Sequence, residues 1–240
     1  MVSAVVGIAV LSAAGGYGVG ELTQPKSVRS IDTGPIAAVS ATPTPSSPTP
    51  SPTSTRTPVP NDDPALDPAE LAFESRTFTV VGDAAPNVGA RAEIAGDVPR
   101  HWRKVDLHDR PDWGKFNNPS NSKRSMRYGL PVAETIEESK KVQIGRLTPL
   151  VDQLVTFQPV APSGTTTGPD GAERTYTAIA YTYLPPGEDK SLLYVLTRWV
   201  SVHGDGRADV EISVTGLPQD KAALEKIMNR AMKSAVREDL

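Results

Sequence analysis

Twenty consecutive residues, 41–60, read ATPTPSSPTPSPTSTRTPVP, and 17 of them are Pro, Ser or Thr. This run limits the chain more than any other feature. It offers almost no apolar side chain to bury. Its prolines lack the N–H groups that a helix or a sheet needs. Such a segment is an extended, solvated tether of polyproline type. It divides the chain into three parts: 1–20, a membrane anchor or signal peptide; 21–60, a Pro/Ser/Thr-rich disordered linker; and 61–240, a globular domain. Residues 21–60 are expected to make no lasting contact with the domain, because they cannot offset the entropy of ordering by burial.

The first 20 residues, MVSAVVGIAVLSAAGGYGVG, carry no charge. As a helix they would be about 30 Å long, just enough to span a bilayer. Five Gly and four Ala make the segment a weak span. Val2–Leu11 followed by Ser12, Ala13 and Ala14 also fits a signal peptide with a small-residue cleavage site. Both readings stay open here. Lys26 and Arg29 follow the apolar run and no basic residue precedes it. Alone, that asymmetry would keep the rest of the chain inside the cell. A Pro/Ser/Thr stalk of this kind belongs mainly outside cells, so the expectation is an extracytoplasmic domain held to the membrane through residues 2–20, or a secreted one.

The whole chain has 240 residues and a net charge of -3. Setting aside Lys26, Arg29 and Arg56 against Glu21 and Asp32, the rest carries 22 basic and 26 acidic residues. A mildly acidic domain is ill suited to wrapping nucleic acid. There is no cysteine. Disulfides, thiolate metal sites, a cysteine nucleophile and a lipid-modified cysteine are therefore excluded.

Periodicity then sorts the domain. Asp63-Pro64 and Asp67-Pro68 mark an entry turn, with one helical turn at Ala69–Phe73. Arg76–Val81 and Ala90–Ala95 alternate as strands. Short strands are expected at Arg103–Leu107, Trp113–Phe116 and Arg124–Leu130. Pro131–Gln143 reads as a helix, acidic residues first (Glu134, Glu137, Glu138) and Lys140 and Lys141 last. Its apolar face of Val132, Ala133 and Ile136 is thin, which places it on the outside. Pro149–Val160 is a strand and Ser163–Gly171 a loop. Arg174–Leu184 and Leu192–Val202 form a long hairpin, the second strand apolar enough to be central. Arg207–Thr215 alternates Ala208, Val210, Ile212 and Val214 with Arg207, Asp209, Glu211 and Ser213, so one face should meet water. Pro218–Arg237 is an amphipathic helix striped by Leu224, Ile227, Met228, Ala231 and Ala235. The sum is an α+β fold, a mostly antiparallel sheet sandwiched by helices.

Three stretches carry a resemblance: Val98-Pro99-Arg100-His101-Trp102, Phe116-Asn117-Asn118-Pro119 ahead of Arg124–Tyr128, and the Glu173–Trp199 hairpin. In this order they are similar to the PsbP-like α/β/α extracytoplasmic domains. Those follow a membrane span and a Pro/Ser/Thr linker in actinobacterial serine/threonine kinases and related membrane proteins. The likeness runs over residues 76–237. Two departures are plain: there is no kinase domain, and Arg100-His101 stands where the pattern has a small residue before Trp. The resemblance implies sensing or binding, and it brings no catalytic residue and no cofactor.

Sites read from the residues are sparse. His101 and His108 with Asp106, Asp109 and Asp112 form a His/Asp cluster, but without metal-ligand spacing it reads as a solvated polar surface. No phosphate-cradling loop or nucleophile elbow occurs. Local charge is more suggestive. Between Val98 and Arg127 stand Arg100, Arg103, Lys104, Arg110, Lys115, Lys123, Arg124 and Arg127, interleaved with Trp102, Trp113, Phe116 and Tyr128. Arg100, Trp102, Arg103, Lys104, Lys123, Arg124 and Arg127 are the candidate binding face, for an envelope protein or an anionic envelope polymer. The plainer alternative is that the aromatics are core and the charges protect sheet edges. The functional expectation is a membrane-tethered, non-catalytic binding or sensor module. The alternative is a secreted hydrolase with a carboxylate-based site.

Overall fold

A computed structural model describes residues 57–82, 86–105, 113–149, 156–158, 163–185 and 190–240. The apolar segment 2–20, most of the tether and the residues Asp106, His108, Asp109 and Asp112 lie outside these. Among the described residues no helix is long and apolar enough to cross a membrane.

In chain order the elements are β1 (Phe73–Val81), β2 (Arg91–Pro99), β3 (Arg103–Val105), β4 (Trp113–Asn118), β5 (Asn121–Gly129), α1 (Ile136–Leu147), β6 (Thr156–Gln158), β7 (Ser163–Thr167), β8 (Glu173–Tyr183), β9 (Leu193–Ser201), β10 (Val210–Gly216), α2 (Lys221–Ser234) and β11 (Val236–Asp239). They make an α+β fold of two antiparallel sheets. The larger has eight strands in the order β3-β4-β5-β10-β9-β8-β6, with β7 also on β8. The smaller has the order β1-β2-β11. The elements that carried the resemblance are present in sequence: a strand into Pro99-x-x-Trp102, β4 and β5, a helix, the β8–β9 hairpin, β10 and an amphipathic helix.

Strand alternation gives the large sheet two unlike faces. On one, Met126, Tyr128, Ile212, Val214, Leu196 and Ala180 join Leu224, Ile227, Met228 and Ala231 of α2 in the main core. Phe78, Val80, Ala92, Ile94 and Val98 of the small sheet complete that core. Phe78 meets Phe116 edge-on at 5.6 Å and Tyr128 at 5.5 Å. The sheets approach closely because Gly114 has no side chain; a Cβ there would sit 2.2 Å from the Phe78 ring. The Tyr128 hydroxyl donates to the Asp97 carbonyl at 2.7 Å and so ties the sheets together. Burial pushes its pKa up. Arg174, buried at the start of β8, reaches the end of α2 and donates to the carbonyls of Met232, Lys233 and Ala235. A cation there satisfies the last carbonyls of the helix and complements its dipole.

The other face belongs to α1, which packs on β8 and β9. The helix starts at Ile136 rather than Pro131 because Thr135 caps it, its hydroxyl accepting from the Glu138 N–H at 3.2 Å. Ile136, Ser139, Gln143 and Leu147 face inward. Val132 and Ala133, expected on its apolar face, precede it. Lys140 pairs with Glu137 at 3.9 Å, one helical turn apart.

Several expectations are corrected. β10 shows no face to water: all seven residues are buried, Glu211, Ser213 and Thr215 included. Alternation marked two faces correctly but could not say that the polar one is covered. Ser163–Thr167 is a strand on β8 rather than loop; its Gly and Thr content hid it. The C-terminal helix ends at Ser234, and Val236–Asp239 pairs with β2. Of the expected strand Pro149–Val160, the described part Thr156–Gln158 pairs with β8. The tether also docks earlier than expected. Val59 bridges to Ser191, and its N–H donates to the Lys190 carbonyl at 2.9 Å.

Candidate functional site

β2 lies in the small sheet and β3 in the large one, so the chain changes sheets between Pro99 and Arg103. Arg100 and His101 make that turn. His101 has a φ of 74°, an uncommon conformation for a residue with a side chain. The Trp102 N–H donates back to the Pro99 carbonyl at 3.1 Å. This geometry drives the Trp102 ring into the core, where it is 5% exposed. It also carries Arg103 and Lys104 out along the rim.

A cleft of about 450 Å³ results, lined by Arg76, His101, Trp102, Arg103, Lys104, Phe116 and Pro119. Arg76 comes from β1, an end strand of the small sheet. Arg103 and Lys104 come from β3, an end strand of the large one. The cleft therefore runs between two sheet edges. Its buried aromatics, Trp102 and Phe116, give an apolar base, and its rim is basic. Arg103 and Lys104 are exposed and form no ion pair among the described residues. Arg76 is held by Glu74 at 2.6 Å. The lining includes no carboxylate, hydroxyl or thiol side chain. Chemically it can hold an anion, and its lining side chains supply no hydroxyl or thiol nucleophile and no carboxylate pair.

The seven residues singled out by sequence are distributed over three places. Trp102, Arg103 and Lys104 line the cleft, and Arg100 stands exposed in the adjoining turn. Lys123 is on the α1 side of β5, its Nζ donating to Ser191 Oγ at 2.7 Å. Arg124 is on the α2 side, buried. Its Nε and Nη2 donate to the two carboxylate oxygens of Asp220 at 2.8 and 2.9 Å, and Nη2 also donates to the Pro64 carbonyl. An exposed charge was expected there, and a buried ion pair is found. Arg127 is buried on the α1 side, its guanidinium 4.7 Å from the Trp113 ring centre. Arg124 and Arg127 are an odd number of residues apart in one strand, so they face opposite ways. That signal was in the sequence. Arg76, which completes the cleft, carried none, since it lies in a different sheet and 27 positions before Arg103.

Further clusters exist. On the α1 side Lys115 stands opposite Arg127, and burial, then that like charge, lower its pKa. The Trp199 Nε1–H donates to Glu211 at 2.8 Å, and Thr197 donates to Ser213 at 3.1 Å. A second cleft, of about 490 Å³, lies between the start of β1 and α2, with Lys226, Arg230 and Lys233 on its wall. Two of these cations are engaged, Lys226 with the Pro68 carbonyl and Arg230 with Asp97, each at 2.5 Å. Among the described residues no group of three or more His, Cys, Asp or Glu is placed to hold a metal ion.

Fold and cleft together define an α+β domain with a basic groove between sheet edges. No protein-family model matches the chain, and no curated protein does. Among solved structures, the Ran-binding protein Mog1p of Saccharomyces cerevisiae is similar at 10% identity and a TM-score of 0.39. That match covers 69% of this chain and 96% of Mog1p.

Proposed function

We propose that this chain is a membrane-tethered extracytoplasmic binding module of PsbP-like type, which takes an anionic group of an envelope partner into the cleft between β1 and β3. The observation that carries the reading is the lining of the cleft. Three cations and an imidazole surround an aromatic base, with no carboxylate, hydroxyl or thiol side chain among them. A hydrolase with paired carboxylates would need acids there. The order of apolar segment, Pro/Ser/Thr tether and domain supports the tethering.

The test uses the full chain and three polyanions: phosphatidylglycerol vesicles, polyphosphate and polyglutamate. At least one should bind at low salt and weaken at physiological salt. The double variant Arg103→Glu/Lys104→Glu should lose that binding and keep its melting temperature, because exposed charges contribute little to stability. Equal binding by variant and parent would defeat the reading. Protease added to intact cells should digest the domain; protection until lysis would defeat the extracytoplasmic placement.

A further inference from the structure

We infer that the segment entering the cleft is an acidic peptide that lies extended against β3 and adds to the large sheet as a further strand. This rests on the cleft reading above and names its ligand class. β3 and β1 are both end strands, and among the described residues no strand pairs with the outer edge of either. The cleft lies between those two edges. An open edge presents backbone donors and acceptors to any extended chain that reaches it.

Charge then selects the chain. Arg103 and Lys104 are consecutive residues of a strand, so their side chains leave on opposite faces. A strand laid beside β3 therefore meets a cation above and a cation below. Arg76 and His101 line the rest of the cleft. A partner with carboxylates on alternate residues would satisfy only one side. The arrangement matches consecutive Asp or Glu residues. The same cations reject a second copy of this edge, since pairing β3 with β3 would set like charges opposite each other. Trp102, Phe116 and Pro119 supply apolar surface against which the methylene stems of glutamates can lie.

The probe is hexaglutamate, compared with hexaglutamate N-methylated at alternate amides, which keeps the charge and removes the strand donors. Binding is read by calorimetry on the full chain, and by hydrogen exchange at Arg103–Val105. Hexaglutamate should bind in a salt-sensitive way and slow exchange in β3. The methylated peptide should bind at least tenfold more weakly, and Arg103→Glu/Lys104→Glu should lose at least tenfold. Equal affinity for the two peptides overturns strand addition but leaves the anion cleft standing. So does binding of phosphatidylglycerol vesicles without binding of hexaglutamate, which would point to a lipid headgroup. If neither peptide, vesicles nor polyphosphate bind, this inference and the cleft reading fall together.

Discussion

On the α2 side of the large sheet the inward residues are Met126, Tyr128, Ile212, Val214 and Leu196. On the α1 side their immediate neighbours in the same strands are Arg127, Glu211, Ser213 and Thr197. Both sets are buried. One face is held by apolar contact, where removing atoms leaves a void. The other is held by polar groups that satisfy each other, where removing one partner leaves the second buried without it. Burial alone therefore does not tell how a face resists mutation.

The comparison can be broken in four ways, the largest effect first. Arg124→Met leaves the Asp220 carboxylate buried without its cation, within the otherwise apolar α2 side. It should cost about 3–5 kcal/mol in urea unfolding. A cost near zero would mean that the pair is not formed.

Leu196→Ala should cost about 3 kcal/mol through lost contact and the cavity it leaves. Its counterpart across the sheet, Thr197→Val with Ser213→Ala, removes both ends of one hydrogen bond and should be nearly neutral. If the two changes cost the same, the faces are not built differently.

Trp199→Phe keeps the bulk of the ring and removes the N–H that donates to Glu211. The expected loss is about 1–3 kcal/mol. Adding Glu211→Gln should recover part of it, because a neutral amide is less costly to bury than a carboxylate.

The smallest contrast is in alkaline titration, where the faces should agree. Tyr183 and Tyr194 are on opposite faces, and burial pushes the pKa of each up to about 12. Their stabilising contribution is complete below pH 10, where the unfolded chain is also neutral. It is lost as the pH climbs from there to about 12, because only the unfolded form has ionised. Tyr183→Phe and Tyr194→Phe should each reduce that loss to a similar degree, read by phenolate absorbance alongside circular dichroism. A marked inequality would show that one face admits water.

Where the sequence was legible, it was through apolar periodicity. The α2 stripe and the β8–β9 hairpin followed directly from it. β10 was half legible: alternation separates Ile212 from Glu211, but nothing local reveals that Trp199, thirteen residues away from Ile212 and paired with Glu211 across the strands, will dry the polar side. β7 and β11 lack an apolar pattern because each rides on a neighbour's edge. The basic run 100–127 looked like one surface because it is dense in sequence. A strand sends successive residues to opposite faces, so density there becomes dispersal. Only the part at the sheet-changing turn stays together, and its partner Arg76 comes from a strand that adjacency cannot foresee.

The docking of Val59 bears on how the chain takes a pull. Tension on the residues ahead of Val59 arrives first at a single bridge to Ser191, which can peel open one bond at a time. The load then passes to Asn61 and Asp63, whose carbonyls accept from the Gln219 side chain at 3.1 and 3.0 Å. Next comes Leu66, whose N–H is held by Asp220 at 2.8 Å. Asp220 is clamped in turn by Arg124 of β5. The ion pair inside the domain thus serves as the cleat for the strap. A steady force would lengthen the strap in steps before it disturbed the sheets.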